Sequence, residues 1–161
     1  MSRALKRLTR EYKDITKEGN YLFSINFNED NIFKWFVTII GPSDTFYENG
    51  LFELEINFTE EYPFRAPTVR FTSPILHPNI YEDGGVCISI LHEGVDSYGY
   101  EDSGERWMPS QNVTSILLSI ISMLNEPNFE SPANIDASVM WKDNPDEFKR
   151  RVYKIVANSL D

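Results

Sequence analysis

The stretch LFELEINF, residues 51–58, constrains the fold more than any other: Phe52, Leu54, Ile56 and Phe58 alternate with Glu53, Glu55 and Asn57. Period-two alternation sets the four apolar side chains on one face of a strand and the polar ones on the other. A strand of this kind needs neighbours to cover its edges, and two apolar runs stand close by. They are YLFSINF (21–27) and FKWFVTII (33–40), separated by the turn-rich NEDN and GPSDTFYENG. Links of that length join antiparallel neighbours, so the three runs predict a meander. VRF (69–71), behind the two prolines of EYPFRAPTVRF, supplies a fourth strand at the sheet edge, where proline is tolerated.

Helical spacing brackets the strands. Leu5, Leu8, Tyr12 and Ile15 share one side of a first helix whose other side carries Arg3, Lys6, Arg7, Arg10, Lys13 and Lys17. Ser2 is placed to cap its start and Gly19 its end. Val113, Ile116, Leu117, Ile120, Ile121 and Leu124 form a wide apolar stripe, as on a helix laid against a sheet. IDASVMW reads as a short helix. NPDEFKRRVYKIV reads as a last one, with Asn144 as cap, Pro145 in first position and Asp146 and Glu147 in the first turn. Helix, strands, then helices predicts an α+β chain with a four-stranded antiparallel meander sheet and C-terminal helices packed on it. Residues 72–112 show turn chemistry and little periodicity apart from VCISIL, and irregular regions of that length in compact domains are typically functional.

At 161 residues the chain is expected to form one domain with a core of its own. One cysteine cannot form an internal disulfide, which points to the reducing cytosol or the nucleus. No apolar run approaches the roughly 20 residues of a membrane span, and the charged N-terminus is unlike a secretory signal, so the sequons at Asn57 and Asn112 are read as chance. The net charge of −10 argues against nucleic acid as a partner. Residues 1–17 nevertheless carry six basic side chains against two acidic ones, leaving −14 for the rest. That segment is either a solvated helix face or a docking surface for an acidic partner.

Cys87 lies in HPNIYEDGGVCISIL (77–91) with His77, and four readings compete for it. It can be a small buried hydrophobe among Ile88, Ile90 and Leu91. A metal site would recruit His77, Cys87 and His92, without the paired spacing such sites show. A cysteine hydrolase needs a base, and His77, opening a turn, serves equally well by bonding to backbone. The fourth reading is a thiol that carries an acyl group with no dedicated base, with Gly84 and Gly85 admitting a bulky partner's backbone. Residue chemistry alone leaves the four open.

These residues resemble the ubiquitin-conjugating enzymes, whose active-site pattern is HPN followed about ten residues later by a thioester-forming cysteine. His77, Pro78, Asn79, Gly85, Val86, Cys87, Ile88, Ile90 and Leu91 match in order. IIGPSDTFYENGLFELEINFTEEYPFRAPTVRFTS, the Trp107–Pro109 turn and the EPNFESPAN loop are similar to the family's core, so the resemblance covers Leu5 to about Val156. Cys87 and Trp107 lie 20 positions apart, and the insertion at about 92–105 carries Glu93, Asp96, Glu101, Asp102 and Glu105 against Arg106. This resembles the acidic-loop subgroup, and CISILHE, YGYE and ERW resemble its G-type branch, which is associated with degradation at the endoplasmic reticulum. Arg65 stands where cell-cycle relatives carry serine, and the sequence ends at Asp161 without their acidic tail, so ligase binding through such a tail is not expected.

The resemblance implies a set of roles. Cys87 accepts the C-terminal carboxyl of ubiquitin as a thioester and yields it to a lysine amine. Asn79 donates to the developing oxyanion or holds the loop that does. His77 and Pro78 keep the turn in shape, and Leu76 helps strip water from the acceptor. Ser131 contacts the acceptor lysine, or caps the helix that follows. The acidic insertion attracts a cationic lysine or merely solubilises. Lys6 and Arg7 face the activating enzyme, and Phe64, Met108 and Pro109 face a RING-type ligase. Substrate proteins complete the partners; no cofactor or metal is expected, and the chain is expected to act as a monomer. The rivals are a catalytically silent ubiquitin-binding module of the same fold and an enzyme for a different ubiquitin-like protein.

Overall fold

The structure, a computed structural model, describes all residues except 1, 20, 27, 29, 95, 100 and 102. Helix α1 (Arg3–Glu18) begins where Ser2 Oγ accepts the N–H of Leu5 at 3.1 Å. It ends where Gly19, at φ +70°, returns its N–H to Ile15 O. Four strands follow, β1 (Phe23–Asn26), β2 (Lys34–Ile40), β3 (Leu51–Asn57) and β4 (Thr68–Phe71), in spatial order β1-β2-β3-β4 with every pair antiparallel. The expected meander is present, with the first three strands slightly shorter than their apolar runs and the fourth one residue longer; Phe27, at the end of the first run, lies outside the described residues.

Register explains the core. Trp35 pairs with Ile56, Val37 with Leu54 and Ile39 with Phe52, so one face presents an unbroken apolar sheet, completed by Phe23, Val69 and Phe71. A one-residue slip would exchange this face with that of Thr38, Glu53, Glu55 and Arg70 and is excluded by burial. Helix α2 (Val113–Asn125) brings Val113, Ile116, Leu117, Ile120, Met123 and Leu124 into the core. Burying a side chain of this size contributes about 1.5–3 kcal/mol. A reciprocal capping box between Asn112 and Ser115 starts the helix. Helices α3 (Ile135–Asp143) and α4 (Pro145–Ser159) close the chain, the latter capped by Asn144 with Pro145 in first position as expected. Among the described residues, no helix is long and apolar enough to cross a membrane.

The first helix departs from its expected pattern in one respect. Glu11 is buried, and its carboxylate accepts from Arg7 Nε (2.8 Å), the Tyr62 hydroxyl (2.5 Å) and the N–H of Val113 (2.8 Å). Val113 opens α2, so the charge also sits at the positive end of that helix. Arg7, expected on the outer basic face, turns inward to serve this carboxylate, and its Nη1 and Nη2 donate to Pro109 O and Gln111 O at 3.1 and 2.8 Å. A buried carboxylate needs a cation and donors, which outweighs solvation of the guanidinium.

Candidate active site

The segment after β4 is irregular but tied back to the sheet. Gly84 takes φ +95°, accepts the Phe71 N–H at 2.8 Å, and sits so close that an added Cβ would stand 2.1 Å from Phe71 O. Gly85 bridges to Arg70 and Val86 to Ile80. Gly84 thus answers to the chain's own fourth strand, not to the approach of a partner's backbone.

His77, at 0% exposure, stands among Tyr47, Trp141 and the C-terminal end of α2. Burial lowers its pKa from 6.5 to about 4, against a smaller opposing effect of its bond to Met123. A neutral ring has one donor and one acceptor, and both are used. Nδ1 accepts the Asn79 N–H at 3.0 Å, so Nε2 carries the hydrogen and donates to Met123 O at 2.7 Å. The expected turn-forming bond is therefore present and is extended to α2. Pro78 O accepts the N–H groups of Ala133 and Asn134, at 2.8 and 2.9 Å.

Asn79, buried, sends its side chain across to the next loop. Nδ2 donates to Asn128 O and Oδ1 accepts Asn128 N–H, each at 2.8 Å. Its own carbonyl accepts the N–H of Cys87 at 3.0 Å. One residue thus fixes both the cysteine backbone and the loop opposite.

Cys87 is half-buried, in a hollow of about 290 Å³ also lined by Asn79, His92, Glu101, Glu105 and Ser131. The simple reading as a buried hydrophobe therefore gives way to an accessible thiol. Among the described residues, no three His, Cys, Asp or Glu side chains gather to hold a metal ion. Ser131 is exposed at the mouth and does not cap α3; Asn134 does so instead, its side chain accepting the Ala137 N–H at 3.0 Å. Leu76 lines a different groove, between β4 and α4, and its carbonyl accepts the Tyr47 hydroxyl.

The acidic insertion is more tightly paired than its composition implied. Glu93 accepts Ala66 N–H at 2.8 Å and meets Arg65 at 3.2 Å, which gives that departure from the family pattern a local partner. Asp96 accepts backbone N–H groups of Tyr98 and Glu101, at 3.0 and 2.8 Å. Glu101 contacts both Arg106 and the Nδ1 of His92. Glu105 is exposed, and Asp102 lies outside the described residues.

The surfaces assigned to partners meet at Arg7, which donates to Pro109 O at 3.1 Å. Lys6 is exposed on α1. Phe64, 62% exposed, and Met108–Pro109 are brought together because Trp107 Nε1 donates to Pro63 O at 2.8 Å. Two neighbours of Cys87 carry no sequence signal of their role. The Tyr81 phenol is raised above its usual pKa chiefly by the Cys87 sulfur, and His92 Nε2 stands 4.0 Å from Sγ. The sequence offered His92 only as a metal ligand, and the short 3₁₀ turn Ser89–Leu91 is what brings it back beside Cys87.

An accessible thiol beside a clamped asparagine, on this sheet and helix order, defines a class. The family model of ubiquitin-conjugating enzymes matches residues 7–156, and the chain belongs to that family of acyltransferases. It is 51% identical over 161 residues to ubiquitin-conjugating enzyme E2 G2 of Homo sapiens, covering 98% of this chain and 96% of the relative. Identity is 52% over 162 residues to ubiquitin-conjugating enzyme E2 7 of Arabidopsis thaliana, covering 99% and 98%. It is 49% over 156 residues to ubiquitin-conjugating enzyme E2 15 of Schizosaccharomyces pombe, covering 96% and 93%. The likeness to G2 enzymes agrees with the G-type resemblance, and membership implies ubiquitin, an activating enzyme and a ligase as partners.

Proposed function

We propose that Cys87 takes ubiquitin from the activating enzyme as a thioester and passes it, with a RING-type ligase, to lysines of substrates or of ubiquitin, building degradation-type chains. The observation that carries this reading is the half-buried thiol in a hollow whose opposite wall is held by Asn79. The thiolate attacks the carbonyl that the activating enzyme presents, and the resulting thioester is reactive enough toward an amine to need mainly orientation and oxyanion stabilisation. Asn79 uses one N–H of Nδ2 on Asn128 and keeps a second for the developing oxyanion. A preorganised donor of this kind is worth a few kcal/mol. His77 and Pro78 hold this geometry, and Ser131 meets the acceptor lysine at the mouth.

Lys6 meets the activating enzyme, while Arg7 holds α1 against the ligase loop through Pro109 O. Phe64, Met108 and Pro109 receive the ligase as an apolar patch. The acidic insertion draws in the acceptor lysine over about a Debye length, roughly 8 Å at physiological salt. With Glu93 engaged by Arg65, Glu105 contributes more of this field than the composition alone implied. The setting is the cytosol, with recruitment to the cytosolic face of the endoplasmic reticulum.

Incubation with activating enzyme, ATP and ubiquitin tests the reading. A thiol-sensitive adduct is expected, and Cys87→Ser should convert it to a thiol-resistant ester or abolish it. No adduct with ubiquitin, together with one formed by another modifier, would overturn the choice of ubiquitin.

A further inference from the structure

His92 is the nearest titratable side chain to Cys87 that the mechanism above leaves unused. Its backbone is held at both ends: its N–H donates to Ser89 O and its carbonyl accepts the N–H of Trp107, both at 2.9 Å. The ring cannot swing freely either, because Nδ1 lies 3.0 and 3.1 Å from the two oxygens of Glu101. An ionised carboxylate only accepts, so Nδ1 carries the hydrogen and the lone pair of Nε2 faces the sulfur, 4.0 Å away.

Glu101 is itself fixed from three directions. Arg106 contacts its carboxylate, and its backbone N–H donates to Asp96 Oδ2 at 2.8 Å. Arg106 is anchored in turn, donating through Nε to Gly94 O and through Nη2 to Glu93 O at 2.9 and 2.8 Å. The Arg106–Glu101 ion pair thus draws together both ends of the insertion, and what it holds is the orientation of the His92 ring. Glu105 and Glu126 line the same hollow as Cys87, while Asp96 and Glu130 line the adjoining one with His92 and Glu101. Arg106 is the one cation lining either hollow among the described residues, so an imidazolium formed here meets a surplus of negative charge.

We propose that His92 is a catalytic residue, the base for aminolysis of the Cys87 thioester, with Glu101 as the positioning residue that sets its tautomer. This rests on Cys87 carrying the acyl group. The acceptor lysine arrives as an ammonium and gives one proton to solvent. Its nitrogen then attacks the thioester carbonyl carbon. His92 Nε2 accepts a second proton from that nitrogen as the C–N bond becomes an amide. The C–S bond breaks with its electron pair on Sγ, and the imidazolium returns the proton to Sγ, leaving a free thiol and a neutral ring. Atoms and charges balance with no further reactant. Nε2 stands 4.0 Å from Sγ, close enough for a nitrogen bonded to the carbonyl carbon on Sγ to come within hydrogen-bond reach of it.

The experiment times discharge from chain already charged with ubiquitin, after the activating enzyme is stopped, using free lysine and then ubiquitin as acceptor across pH 6–9. Starting from charged chain removes any effect on charging itself. His92→Gln keeps a donor for Glu101 but has no basic nitrogen to accept a proton, and discharge should slow on the order of 100-fold, the lower end of general-base contributions. The side chain is 39% exposed, so folding is expected to survive, and thermal melts verify this. His92→Gly should be slow and should regain rate when imidazole is added, which a purely structural histidine would not allow. Glu101→Gln should slow discharge less than His92→Gln and should add no further slowing in a His92→Gln background, as expected of a residue that acts through His92. Wild-type discharge rates in His92→Gly, or slow rates that imidazole leaves unchanged, overturn the proposal. Failure of the unsubstituted chain to charge overturns the thioester reading and this proposal together, whereas charging with His92-independent discharge overturns this proposal alone.

Discussion

Lowering the pH from 7.5 to 5.0 probes the burial of His77 directly. In the folded chain desolvation holds its pKa at about 4, against an ordinary 6.5 when unfolded. Between these values the unfolded chain binds a proton that the native chain refuses, so the free energy of unfolding must fall as pH falls through this window. The contribution is fully present above pH 6.5 and amounts to about 3 kcal/mol when integrated to below pH 4; by pH 5.0 about 2 kcal/mol of it is lost. The perturbation is His77→Gln, which can still donate to Met123 O but does not titrate. Guanidinium unfolding at the two pH values gives the loss for each protein, and carboxylate effects common to both cancel in the difference. The unsubstituted chain should lose about 2 kcal/mol more than the variant over this interval. Equal losses would mean that His77 accepts a proton in place and that its Nδ1 bond to the Asn79 N–H is not the one that holds the turn.

Four further outcomes follow from the same geometry. Glu11→Ala should destabilise the chain by about 3–5 kcal/mol in denaturant titrations, because Arg7, Tyr62 and the Val113 N–H lose a shared buried acceptor. Gly84→Ala should cost more than about 2 kcal/mol, since it combines φ +95° with a contact of 2.1 Å to Phe71 O; a near-neutral melt would refute the assigned strand approach. Asn79→Ala should raise amide exchange at Asn128 and slow lysine discharge on the order of 100-fold, and slowing without faster exchange would favour oxyanion donation over loop support. Phe64→Ala should leave stability within about 0.5 kcal/mol while reducing ligase-stimulated discharge; loss of unstimulated discharge would count against a docking role.

The sequence by itself determined what repeats along the chain at short range. Alternation in residues 51–58 specified which face of β3 is buried, and short links specified antiparallel order, so the sheet was legible before its register was seen. Ser2, Gly19, Asn144 and Pro145 marked helix ends because capping is decided within about four residues. The spacing of His77, Pro78 and Asn79 to Cys87 carried the family and its chemistry. Tertiary structure decided whatever depends on partners distant in sequence. Arg7 looks like one more cation on a basic helix until Glu11 is buried and Pro109 and Gln111 arrive from about a hundred residues away. Asn79 reads as a turn residue until Asn128 is placed against it. The charges of the insertion read as a diffuse acidic field, whereas packing pairs Glu93 with Arg65 and aims Glu101 at His92. Periodicity records how a segment meets solvent or core, and it holds no information about which polar group will complete another's hydrogen bonds across the fold.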